Sequence, residues 1–126
     1  MVGTLLSVAL GGAIGASARY LVNVGVMRFV GPGFPYGTII ANVVGSFLMG
    51  LIVVVLAHRG NQALAPFLMT GLLGGFTTFS AFSLDTLTLF ERGEVGLAGL
   101  YVGASVTLSL AAIAVGVLVT RAVMAP

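Results

Sequence analysis

Residues 95–120 read VGLAGLYVGASVTLSLAAIAVGVLVT, without a charged side chain from end to end. A helix needs about 20 mostly apolar residues to cross a bilayer, and this stretch exceeds that before Arg121 closes it. Upstream the pattern repeats. Val2 to Ala18 carries nothing ionisable, and the apolar run continues past Arg19 and Tyr20 to about Val30. There Gly31-Pro32-Gly33-Phe34-Pro35 interrupts it, as Pro and Gly together break helices. A second run stops at His58-Arg59-Gly60. A third starts near Pro66, a favoured first helical residue, and stays uncharged to Leu84. The reading is one transmembrane domain of four helices, over approximately 2–30, 36–57, 66–90 and 95–120.

Composition excludes the alternatives. Of 126 residues 59% are hydrophobic and 6% charged, against about 25% charged in a soluble domain. Five Arg and three acids cannot cover the surface that so small a chain leaves in water. Lipid demands that each spanning segment satisfy its own backbone, which helices do, and the alternation of an outer-membrane barrel is missing. A cleaved leader is not expected, because the first run lacks a basic flank and is too long. Without Cys there is no thiolate nucleophile and no Cys-based metal site, and one histidine, His58, builds no cluster. No enzyme chemistry is expected. The arginines stand apart at 19, 28, 59, 92 and 121, so no basic stripe suits nucleic acid.

Those arginines also leave orientation open. With four spans, Arg59 and Arg121 fall on one side; Arg28 and Arg92 fall on the other, with Arg19 within its reach. The positive-inside rule compares Lys and Arg in short loops, and two against two or three specifies little. Either a partner or one strong residue decides the matter, or copies insert both ways and pair as an antiparallel homodimer.

Small residues recur at four-residue spacing: Gly11/Gly15, Gly12/Ala16, Ala41/Gly45, Gly71/Gly75 and Gly99/Gly103. Such pairs let helix backbones approach closely in lipid, so every span is expected to pack and no wide pore to fit within one protomer. Polar residues form two ladders. Thr38, Asn42 and Ser46 share one face of the second span; Tyr101, Ser105 and Ser109 share one of the fourth, drifting about 40° per step. Each alone reads as helix-to-helix glue worth about 0.6 kcal/mol. Together they offer neutral donors suited to an anion shedding its water.

The third span holds Gly71-Leu-Leu-Gly74-Gly75-Phe76-Thr77-Thr78-Phe79-Ser80-Ala81-Phe82-Ser83. Two glycines followed by two threonines make a weak helix, so a break is expected near mid-membrane, where freed carbonyls are hard oxygen ligands of the kind that hold Na⁺. Phe79 and Phe82 supply contact area, or turn positively polarised ring edges to an anion.

At these residues the sequence resembles the Fluc (CrcB) family of fluoride channels. Gly11 through Tyr20 matches the family's first-helix motif, Gly37 through Phe47 the second, and Gly71 through Ser83 the third. The resemblance implies an antiparallel, dual-topology homodimer in the cell (inner) membrane, with two narrow fluoride pathways at the subunit interface and a central structural Na⁺. It also implies pathway roles for Phe79, Phe82, Asn42, Ser80, Tyr101, Ser105, Ser109 and Thr38, and a vestibule role for Arg19. Backbone carbonyls of Gly74 and Thr77 would hold the Na⁺. One departure stands out: the family commonly has Thr where this chain has Ala81. Rival readings are a small dual-topology exporter of drugs or cations, which calls for an acid buried in a span, and a non-transporting assembly subunit. Asp85, Glu91, Arg92 and Glu94 read as a charged edge near a loop, and His58 as a boundary residue.

Overall fold

The computed structural model describes residues 1–125, and among them every regular element is a helix. Helix α1 spans Val2–Val30 and ends where Gly31, at φ 82°, gives its N–H to the Met27 carbonyl. Helix α2 spans Tyr36–Arg59. It outruns the expected end at 57 because His58 and Arg59 complement the negative end of the helix dipole and Gly60 supplies the left-handed cap (φ 68°). A short 3₁₀ turn, Gln62–Leu64, opens the third span. Helix α5, Val95–Met124, likewise continues past 120 through Arg121, a cation in its last turn. Four helical stretches, the third being Gln62–Glu91, are long and apolar enough to cross a membrane.

The third span breaks where its glycines and threonines predict, and it is irregular before the break as well. Pro66–Leu73 is wound as a π-helix, a form otherwise met mostly as single-turn bulges at functional sites. One α turn follows, α3 (Gly74–Phe76). Then Thr77 and Thr78 are extended, at φ/ψ −88°/158° and −153°/124°. Helix α4, Phe79–Glu91, restarts with the Thr78 hydroxyl capping the Ala81 N–H.

Glycines set which helices meet. A Cβ built on Gly11 would stand 2.6 Å from the Phe67 carbonyl oxygen; one on Gly71 would stand 2.7 Å from that of Val8, and one on Gly75 2.7 Å from that of Gly12. Backbone therefore lies on backbone between α1 and the third span's first half. In the same way Gly50 of α2 faces the Ile113 carbonyl, and Gly116 of α5 faces that of Phe47. The pairing is interleaved: α1 with the third span, α2 with α5. Among the described residues no Cα of α1 comes within 8 Å of one in α5. Gly99 and Gly103 depart from the packing expected of them, since a Cβ on either meets nothing within 4 Å. Their face of α5 is open in the protomer.

Little is left for a core. Leu89, Ala98 and the fully buried Tyr101 form its centre, with Phe34, Ile39 and Phe82 packed around them. The accessible surface of 7549 Å² exceeds the roughly 6,200 Å² of a compact monomer of this mass, as expected of helices laid side by side.

Gly71→Ala is expected to destabilise the detergent-solubilised protein by about 1–3 kcal/mol, the usual cost of forcing a group into a packed site. Gly25→Ala, where a Cβ meets nothing within 4 Å, should leave the thermal unfolding midpoint unchanged or slightly raised. Equal midpoints for the two variants would contradict the backbone contact described.

Candidate functional site

Everything at the site begins with the break in the third span. In an unbroken helix the Thr78 N–H would bond the Gly74 carbonyl. Here it donates to Asn42 Oδ1 at 2.7 Å, and Asn42 Nδ2 donates back to the Thr78 carbonyl at 3.0 Å. One side-chain amide of α2 thus takes both bonds of one extended residue. The Ala81 N–H, which helical geometry would direct at the Thr77 carbonyl, goes to Thr78 Oγ1 at 3.1 Å instead. Upstream, the Thr77 N–H and hydroxyl both donate to the Leu73 carbonyl, at 3.0 and 2.9 Å. Arg19 Nε reaches across from α1 to the Gly75 carbonyl at 3.2 Å. The N–H groups that a continuous helix would bring to the Gly74 and Thr77 carbonyls are thus drawn elsewhere.

Beside the break, α2, α4 and α5 enclose a cleft of about 310 Å³. Asn42 and Ser46 line it from α2, Phe79 and Phe82 from α4, Ser105 and Ser109 from α5. No lining side chain is ionisable. The two Phe rings are tilted at 56° with centroids 5.4 Å apart. Phe82 is held from behind by Tyr101, at 5.3 Å. Phe79 is 78% exposed, so the protomer supplies no wall on that side. Ser105 is 5% exposed, and its hydroxyl is the one buried side-chain polar atom among the described residues without a hydrogen-bond partner. A buried hydroxyl left unpaired is costly, and it points to a ligand. Asn42 keeps one of its two amide hydrogens after pairing with Thr78, since a primary amide carries two.

The remaining residues singled out in the sequence lie elsewhere. Thr38 and Tyr101 sit one helical turn from Asn42 and Ser105, and both hydroxyls are engaged: each donates to Asp85 Oδ2, at 2.8 and 2.9 Å. Ser80 is exposed, 3.3 Å from the Thr78 hydroxyl, and outside the cleft. Ala81 faces a second, larger cleft of about 450 Å³ under the α1–α2 loop, which also contains Thr38 and Asp85. A hydroxyl at position 81 would therefore serve that cleft and not the one between the Phe rings.

Asp85 corrects the reading of a uniform charged edge. Glu91, Arg92 and Glu94 are exposed near the loop as expected, but Asp85 is partly buried and held by α2 and α5. Its position six residues before Glu91, among Ser83, Leu84, Thr86 and Leu87, is the sequence signal that sets it apart. Among the described residues no cluster of His, Cys, Asp or Glu could hold a metal, so a cation here would rely on neutral oxygens.

Comparison with known proteins agrees with this architecture along the whole chain. A family model described as CrcB-like protein, Camphor Resistance (CrcB), matches residues 6–117. A protein of Cereibacter sphaeroides (strain ATCC 17029 / ATH 2.4.9) named fluoride-specific ion channel FluC is 69% identical over 125 residues, covering 99% of this chain and all of the relative. Relatives of the same name from Ruegeria sp. (strain TM1040) and Paracoccus denitrificans (strain Pd 1222) are 61% and 59% identical, each over 122 residues. They cover 96% and 97% of this chain, and 97% and 98% of their own lengths. A helical chain with four membrane-length spans, matched by one family model into every span and by full-length relatives named as ion channels and not enzymes, belongs to the CrcB-like family of multi-pass membrane proteins.

Proposed function

We propose that this chain conducts fluoride passively out of the cell, as an antiparallel homodimer inserted both ways in the cell membrane, with two narrow paths at the subunit interface. The observation that carries the reading is the unpaired, buried hydroxyl of Ser105, a residue that lines the same cleft as Asn42, Phe79 and Phe82. Moving an unpaired ion into low dielectric costs tens of kcal/mol by Born estimates. Fluoride, small and tightly hydrated, needs its water replaced donor by donor. Asn42, Ser105, Ser109 and Ser46 are neutral donors, and the Phe edges are weakly positive. None carries a charge, and conduction requires binding weak enough for exit. A narrow path lined this way would pass fluoride and exclude the larger chloride.

Three features support assembly. The cleft lacks a wall at Phe79, the protomer's surface is larger than its mass warrants, and the Gly99/Gly103 face is open. A second copy would close the cleft, and the near balance of arginines on the two faces favours an inverted one. The Gly74 and Thr77 carbonyls, deprived of their helical donors, fit a structural Na⁺ at the dimer centre. When bound, the ion would supply positive charge to an otherwise unsatisfied break. Arg19, fixed on the Gly75 carbonyl, adds positive potential close by. Asp85 favours a second reading, proton-coupled export of a cation, because it is an acid held inside a span.

Reconstituted into liposomes, the protein should release fluoride down its gradient, read with an ion-selective electrode, without a proton gradient and with little chloride flux. Flux that requires a proton gradient would favour the exporter; no flux from well-folded protein would end the channel reading. Ser105→Ala should slow fluoride efflux about 10-fold or more, as loss of a bond to a charged partner implies. Phe82→Ile should slow it as well, with the dimer intact on size exclusion. Exchange of Na⁺ for N-methyl-D-glucamine should lower the thermal midpoint, and an unchanged midpoint would remove the proposed ion.

A further inference from the structure

The larger cleft, under the α1–α2 loop, has no part in the path so far. Its walls include Asn23 of α1, with Phe34 and Tyr36 at the loop, and its inner end is Thr38 and Asp85. Arg92, the residue that closes α4, also lines it. Asp85 and Arg92 are its only charged lining residues. The lining residues of the two clefts are neighbours along α2 and α5. Thr38 is one turn from Asn42 on α2, and Tyr101 is one turn from Ser105 on α5, so the hydroxyl pair on Asp85 stands one helical turn from the donors of the smaller cleft.

That arrangement poses an electrostatic problem for an anion. A carboxylate at the inner end repels it, and low-dielectric walls strengthen the repulsion by focusing the field. A positive source is needed at the outer end. We propose that this cleft is the aqueous mouth of the anion path and that Arg92 is the charge that gathers fluoride into it. The proposal rests on the fluoride-channel reading and adds to it a residue that acts on the rate of entry. The bland role for Arg92 is a clamp on the loop, through the bond from Nη1 to the Gly33 carbonyl. That bond is long, at 3.4 Å, and exposed.

A single thiol separates charge from clamp. The chain has no cysteine, so Arg92→Cys in the full-length protein can be modified alone in proteoliposomes. Methanethiosulfonate reagents would add a trimethylammonium, a methyl or a sulfonate group, and none of these can donate a hydrogen bond to Gly33. At about 10 mM ionic strength, where screening is weak, the trimethylammonium adduct should conduct within about twofold of the native chain with Arg92. By the usual size of steering effects the methyl adduct should fall roughly threefold below it and the sulfonate roughly tenfold. Near 0.5 M salt the three should converge, because the Debye length there is only a few ångströms. Three adducts of equal flux at low salt, whether all normal or all impaired, would overturn the role of Arg92 while leaving the channel reading in place. A chain of native sequence that passes no fluoride would overturn both.

Discussion

The pairing of Asn42 with Thr78 is the interaction on which the site depends. A helix that stops in the middle of a membrane exposes backbone groups that lipid cannot satisfy. Here one primary amide on a neighbouring helix accepts from the N–H and donates to the carbonyl of the same extended residue. The Thr78 peptide group is thereby satisfied by a neutral side chain. The same rearrangement takes the helical donors away from the Gly74 and Thr77 carbonyls. The restarted α4 then presents Phe79 and Phe82 together on the cleft. The packing of α1 on the first half of the span, with Gly11 and Gly71 backbone to backbone, holds the other end of the break still.

Charge is distributed with the same restraint. The cleft between α2, α4 and α5 has none, and its polar lining is hydroxyls and one amide. Asp85 lies just outside it, with two hydroxyl donors on a single oxygen. The hydroxyls of Thr38 and Tyr101 therefore face the acid in the protomer, and an ion arriving there meets donors already committed. Ser105 differs from Tyr101 in this respect although they share a ladder: one is unpaired and the other is held.

Four spans and the break were legible from hydropathy and helix-weak residues, and four-residue spacing set Asn42, Ser105 and Ser109 on polar ladders, whereas a pathway role for Phe79 and Phe82 came only with the family resemblance. What was not legible depends on distance in three dimensions. Periodicity places Thr38 with Asn42 and Tyr101 with Ser105, but it does not reveal that an acid from the third span intervenes between the two helices. It marks Asn42 as polar, yet the double bond to Thr78 requires knowing which backbone has come apart. Four-residue spacing is the same for Gly71/Gly75 and Gly99/Gly103, and only the packing distinguishes a close contact from an open face. The π-helical winding of Pro66–Leu73 has no local signature in those residues.

The interleaved pairing of helices has a consequence for how the protein is made. The contact surface of α1 lies about sixty residues downstream, at Gly71 for Gly11, and that of α2 a similar distance downstream, at Ile113 for Gly50. Neither forms its main contact with the helix that follows it out of the ribosome. Helical hairpins inserted in order would therefore each remain incomplete, and α2 would wait for the last segment to be synthesised. The α2–α5 contact can form only after the last segment is made, and a chain truncated before α5 would leave Gly50 and the backbone around Phe47 without their packing partner.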